Sequence, residues 1–285
     1  MPLFGSDTAW PLWRGSELHD SFSLENVAAS PDAAIVTAVT RPWLFEFRPV
    51  QPNGRAMLVL GGGGYTALMV GREGVAVAGW LTALGYHAYV LVHRFPNAEH
   101  GTAAPLDDAM EAMRMIRASG KADRGLGVVG LSSGGHLAAC LAAEYPTEWP
   151  SPVTGRAQQS TRPDVLVVGY APISTNAKGR TVVQDKAPLP PPEKQALYDR
   201  LQPDAQLIAN PPPTFIVYAA NDPVVPVENA HRLAGALRDA GGSAELHIFA
   251  DAPHGFALDT HGSPVAVWPR LCEAWLRQVG FLDAP

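Results

Sequence analysis

Short β-branched runs alternate with amphipathic stretches along almost the whole chain, and a sequence patterned this way folds into a mainly parallel sheet covered by helices. The runs are Ala34–Thr40, Trp43–Arg48, Ala56–Leu60, His87–Val92, Gly127–Gly130, Asp164–Gly169, Thr214–Ala219 and Glu245–Phe249. The first two are expected to form an antiparallel edge. Between the runs, Glu73–Leu84, Leu106–Ala118, Ser133–Glu144, Glu228–Ala240 and Val265–Val279 read as helices, with Gly85 and Gly241 placed as C-terminal caps. The expected fold class is therefore α/β: a mainly parallel sheet of about eight strands with helices on both faces. At 285 residues, 47% of them hydrophobic, the chain can bury one large core. One domain over 1–285 is expected, with residues 1–33 as an N-terminal extension.

One stretch breaks the pattern. Between Ala171 and Pro213, prolines at 188, 190, 191, 192, 203, 211, 212 and 213 leave room only for a short helix near Glu193–Leu201. The segment is too long for a plain connector, and it leaves the carboxyl side of a strand, where open α/β sheets build their pockets. Residues 171–213 are thus expected to form a lid or pocket wall.

The strand Gly127–Gly130 runs directly into Leu131-Ser-Ser-Gly-Gly-His136 and then a helix-forming Leu-Ala-Ala-Cys-Leu run. This is G-x-S-x-G in a strand–turn–helix setting, where a strained turn lifts the serine hydroxyl above the sheet and only glycine fits on either side. Ser132 is the expected nucleophile, and Ser133 offers its backbone N–H at the helix start, not its hydroxyl. A serine nucleophile needs a base and a carboxylate that orients the base. Asp222 follows the Phe215–Ala220 run, and His254 follows the strand ending at Phe249, each on a loop after a strand. All three residues emerge at one sheet edge in the order serine, acid, histidine. Asp251 competes as the acid but sits three residues from His254 in the same loop, badly placed for the far imidazole nitrogen. His136, four residues after Ser132, reads as a packing or hydrogen-bonding residue.

The strand Ala56–Leu60 enters Gly61-Gly-Gly-Gly-Tyr65. The lysine and Ser/Thr of a P-loop are missing, so the glycines are better suited to letting backbone N–H groups approach a substrate carbonyl. The remaining histidines have no metal-ligand spacing, and neither a metal nor another cofactor is expected. A net charge of −6 with a pI near 5.8 and no block of like charges excludes a nucleic-acid or anionic-membrane footprint. Cys140 and Cys272 read as core thiols. The start MPLFGSDTAW lacks a basic region followed by an apolar run, and no segment approaches the roughly 18 apolar residues of a membrane span. A soluble, cytoplasmic protein with a small-molecule ester substrate is expected, as a monomer or a homo-oligomer.

Collinear stretches extend this reading: Gly62-Gly-Gly-Tyr65, Arg72-Glu-Gly74, Tyr89-Val-Leu-Val-His-Arg94, Pro105-Leu-Asp-Asp108, Gly130-Leu-Ser-Ser-Gly-Gly-His-Leu-Ala138, Pro212-Pro-Thr-Phe215, Glu245-Leu-His247 and His254-Gly-Phe256. With them the chain resembles the α/β hydrolases, in particular their xylan-esterase-like acetylesterase branch, near the hormone-sensitive-lipase-like and feruloyl-esterase-like carboxylesterases. The resemblance implies a serine esterase of short acyl groups, with acetylated carbohydrates among its substrates. It implies a triad of Ser132, Asp222 and His254, and an oxyanion hole from the N–H groups of Gly63, Gly64 and Ser133. Tyr65 and Glu73 are expected near the substrate, although Glu73 also fits a carboxylate at a helix start. Arg94 and Asp108 are expected to pair structurally. Two departures stand out: Gly61 replaces the relatives' His or Pro, and Ala177-Lys-Gly-Arg180 replaces a His-x-Gly-Ser pattern. An amidase or peptidase with the same triad, and a non-catalytic binding module on this fold, remain open alternatives.

Overall fold

The computed structural model describes residues 5–13, 18–27, 31–150, 161–183 and 186–284. Of the 1–33 extension, residues 1–4, 14–17 and 28–30 lie outside the described residues, as do 184 and 185 of the 171–213 excursion. The strands in chain order are β1 (Thr8–Pro11), β2 (Ser23–Glu25), β3 (Ile35–Thr37), β4 (Trp43–Phe47), β5 (Ala56–Leu60), β6 (His87–Val92), β7 (Leu126–Leu131), β8 (Leu166–Gly169), β9 (Thr214–Ala219) and β10 (Ala244–Phe249). Eight of them form one sheet in the order β1-β4-β6-β5-β7-β8-β9-β10. Only β4 runs antiparallel to its neighbours, β1 and β6. Strands β4 to β9 are buried along their whole length. A strand covered by helices on both faces is predominantly apolar, which is why these segments read as hydrophobic runs; the buried exception Glu46 of β4 is met by His87 and Tyr89 of β6.

The expected edge is corrected. Ile35–Thr37 leaves the main sheet and pairs with Ser23–Glu25 as a separate ribbon, while β1 forms the true edge beside β4. β1 is a four-residue strand containing a proline, and its half-buried Thr-Ala-Trp-Pro carries neither alternation nor an apolar run.

The helices are α1 (Ala76–Ala83), α2 (Ala104–Ala118), α3 (Ser133–Cys140), α4 (Pro192–Arg200), α5 (Pro203–Gln206), α6 (Glu228–Asp239) and α7 (Trp268–Gln278). In α7 the buried residues are Trp268, Cys272, Trp275 and Leu276, one stripe at helical spacing. Both proposed caps hold. The N–H of Gly241 bonds Arg238 O and that of Gly242 bonds Leu237 O; Gly85 and Tyr86 repeat the pattern on Thr82 and Leu81. These are Schellman motifs, and Gly85 and Gly241 take φ of +89° and +85° there.

Three helices differ from expectation. Residues Val70–Val75 form a wider, π-type turn before α1, α3 ends at Cys140, and a 3-10 turn over Pro264–Val267 precedes α7. Apolar spacing does not distinguish these tighter and wider turns from α-helix. Among the described residues no helix is long and apolar enough to cross a membrane.

Candidate active site

Ser132 stands between β7 and α3 with φ +52° and ψ −125°, a strained conformation for a residue with a side chain. The turn closes by backbone contact. A methyl group on Gly134 would lie 2.0 Å from Leu60 O, and one on Gly130 would lie 2.3 Å from Gly134 O. Neither glycine has a positive φ, so it is close approach that demands them.

The three loops converge as their strand ends require. Ser132 Oγ is 3.0 Å from His254 Nε2, and His254 Nδ1 is 2.8 Å from Asp222 Oδ2. A carboxylate only accepts, so Nδ1 carries the proton and Nε2 faces the serine hydroxyl as an acceptor. The Asp222 side chain is fully buried, and its other oxygen accepts the N–H groups of Val224 and Val225, each at 2.8 Å. The His254 ring is 20% exposed, so its base nitrogen can be reached. Asp251 bonds Asn221 instead of the histidine, and Asn221 Oδ1 accepts Ala252 N–H at 3.1 Å, joining the acid and histidine loops.

The glycine loop passes directly over the serine: a methyl group on Gly62 would lie 2.5 Å from Ser132 Cβ. Glu73 holds this loop. It is 2% exposed, accepts Gly62 N–H at 2.7 Å on Oε2 and accepts the Tyr170 hydroxyl at 3.0 Å on Oε1. Tyr170 in turn accepts Ala257 N–H at 3.2 Å, and its ring stands edge-on to His254 at 5.3 Å. One buried carboxyl thereby links the glycine loop, the β8 end and the histidine loop. Burial pushes the Glu73 carboxyl up from its ordinary value, while the Gly62 and Tyr170 donors pull it back down.

Other expected residues sit differently. Gly64 N–H donates to Ser133 Oγ at 2.9 Å, so in this state it is occupied. The N–H groups of Gly63 and Ser133 donate to no acceptor among the described residues. Tyr65 is corrected from the pocket to the interior: it is 1% exposed and its hydroxyl donates to His136 Nδ1 at 2.8 Å. A φ of +60° turns its ring under the glycine loop, where it packs on His136 and Tyr198. His136 donates from Nε2 to Leu201 O at 2.9 Å, the structural role its position suggested. Arg94 and Asp108 pair as expected, with Nη2–Oδ1 at 2.7 Å and Nε–Oδ2 at 3.0 Å. Arg180 of the divergent Ala177–Arg180 stretch is clamped to Asp204 at 2.6 Å. Reading the chain alone missed Tyr170 and Asn221. Tyr170 lies immediately past β8 and Asn221 two residues past β9, at the edge where the triad gathers, and that position was their only signal.

An open, mainly parallel sheet with serine, acid and histidine in that order on the loops after β7, β9 and β10 is the architecture of the hydrolase fold. The chain belongs to the alpha/beta hydrolase fold family, whose pattern it matches over residues 58–258. It is 27% identical over 230 residues to an acetylxylan esterase of Xylanibacter ruminicola, covering 75% of this chain and 43% of that protein. It is 30% identical over 220 residues to endo-1,4-beta-xylanase B of Butyrivibrio fibrisolvens, covering 74% and 32%. The chain thus spans less than half the length of these curated relatives. Among solved structures it superposes on an acetyl ester-xyloside bifunctional hydrolase from Caldicellulosiruptor lactoaceticus with a TM-score of 0.72 at 28% identity, over 99% of this chain and 100% of that one. A carboxylesterase from Lactobacillus plantarum shares the fold, with a TM-score of 0.69 at 19% identity over 93% and 98%.

Proposed function

We propose that this chain is a serine carboxylic-ester hydrolase of short acyl groups, with acetyl esters, including those of acetylated carbohydrates, as its substrate class. The observation that carries the reading is the unbroken hydrogen-bond chain from Ser132 through His254 to Asp222 beside the unoccupied N–H groups of Gly63 and Ser133. His254 takes the Ser132 proton as the oxygen attacks the ester carbonyl, and Asp222 stabilises the resulting imidazolium. The N–H groups of Gly63 and Ser133 hold the oxyanion, and Gly64 joins them by exchanging Ser133 Oγ for the substrate oxygen. Each such donor contributes about 3 kcal/mol to the transition state. The alcohol leaves with the proton from His254, and water then releases the acyl group by the same steps. The acetyl preference rests on the likeness to the acetylxylan esterase and the acetyl ester-xyloside hydrolase.

Residues 171–213 supply the pocket wall in this reading, and the protein works in the cytoplasm on small-molecule esters without a cofactor. The test is kcat/KM on aryl esters of increasing acyl length, on acetylated xylan and on matched anilides. The expected result is turnover of both acetate classes, falling as the acyl chain lengthens, with anilides far slower. Preference for long chains or for the amide would remove the acetylesterase assignment.

A further inference from the structure

The excursion over residues 171–213 carries five cationic side chains. Three are matched by carboxylates: Lys178 with Asp199 at 3.9 Å, Arg180 with Asp204 at 2.6 Å and Arg200 with Glu148 at 2.5 Å. Lys186 and Lys194 are the exceptions. Among the described residues neither ammonium stands within ion-pair distance of a carboxylate, and Glu193, beside Lys194 in sequence, makes no such pair.

Their position gives the exception meaning. Lys194 lies in the first turn of α4, partly buried, and a methyl group on Gly64 would lie 3.7 Å from its Nζ. Its charge thus stands against the glycine loop that covers Ser132. Lys186 is also partly buried and donates to Asn176 Oδ1, while Asn176 O accepts Gln195 Nε2 at 3.0 Å, next in the chain to Lys194. Asn176 thus ties the Lys186 ammonium to the helix that carries Lys194, close enough for the one charge to act on the other. Burial and the Lys186 charge pull the Lys194 ammonium below its ordinary range, and burial does the same to Lys186.

Two like charges brought together in a partly desolvated wall are unfavourable unless an anion joins them. Resting on the ester-hydrolase reading above, we propose that Lys194 and Lys186 form an anion subsite at the rim of the active site, so that the preferred substrate is an ester bearing a carboxylate on its acyl or its alcohol part. The carboxylate meets Lys194 while the ester carbonyl lies under the glycine loop. The subsite acts on binding and orientation, and the bond-breaking steps stay with Ser132 and His254.

Two substrate pairs test this and separate the two placements of the charge. For the alcohol side, 3-carboxyphenyl acetate is compared with 3-carbamoylphenyl acetate; for the acyl side, phenyl hydrogen malonate is compared with phenyl 3-methylbutanoate. The readout is the ratio of kcat/KM, anionic to neutral, within each pair, for the wild type, Lys194→Met, Lys194→Arg and Lys186→Met. The wild type is expected to favour the anionic member of one pair by about tenfold at low ionic strength, less in high salt. Lys194→Met should bring that ratio near one, Lys186→Met should lower it, and Lys194→Arg should retain most of it. A wild-type ratio near one in both pairs overturns the subsite while neutral turnover keeps the esterase reading, and this arm needs no variant to fold. An equal loss on all four esters in Lys194→Met also overturns it, because Lys194 would then serve the oxyanion. Turnover of none of the four takes away both readings.

Discussion

Glu73 shows how much one buried carboxyl can organise. Its two oxygens face two donors on different loops, Gly62 N–H and the Tyr170 hydroxyl, and almost no water reaches them. Removing the carboxyl leaves both donors buried without an acceptor, at about 1–3 kcal/mol each. Glu73→Ala is therefore expected to lower stability by about 2–5 kcal/mol in urea unfolding. It should also lower kcat by tenfold or more with little change in KM, because Gly62 adjoins Gly63, whose N–H is to meet the developing oxyanion. Glu73→Gln keeps an acceptor for Gly62 and the same volume, so its loss should be smaller in both measurements. Equal kinetics for Glu73→Ala and wild type would show that the loop holds its shape unaided.

At the scale of elements, α3 is fastened through His136. The ring accepts from Tyr65 below the glycine loop and donates to Leu201 O at the end of α4, so helix, loop and pocket wall share one imidazole. Complete burial pushes its pKa down to about 4, leaving it neutral in the folded state. An unfolded histidine titrates near 6.5, so between about pH 6.5 and 4 the unfolded chain binds a proton that the folded chain does not. Stability from this group is full above that window and is lost as pH falls through it, by on the order of 3 kcal/mol. Guanidinium unfolding at pH 7.5, 5.5 and 4.5 measures the slope. The wild type should lose stability more steeply than His136→Gln, which starts less stable but carries no titrating ring. Parallel slopes would assign the pH dependence to other groups.

Across the whole molecule, legibility follows burial and regularity. Strands β5, β6 and β9 were readable to their last residue because sheet interiors covered on both faces favour long apolar runs, with buried His87 and Thr214 confined to the strand starts. β1 was not readable, since a short edge strand bears no such constraint, and Ile35–Thr37 carries a strand-like run that pairs locally in a ribbon. The positions of Ser132, Asp222 and His254 were legible because each lies on the loop that leaves a strand, and the fold delivers strand ends to one edge. Glu73, Tyr170 and Lys194 were harder. Glu73 lies in a π-type turn with no periodic signature, Tyr170 takes a φ of +36° that no propensity announces, and Lys194 acquires its place only when the proline-rich excursion folds over Gly64. Such contacts join segments distant in sequence, and only the tertiary structure defines them.

The central claim is that Ser132 is the nucleophile served by the converging loops, and covalent trapping measures it most directly. A serine-directed organophosphate should add one equivalent to the peptide that holds Ser132 and abolish ester hydrolysis in step with labelling. Ser132→Ala, folded by circular dichroism, should neither be labelled nor turn over ester. Labelling at Ser133 or another residue, or hydrolysis retained by Ser132→Ala, would contradict the account.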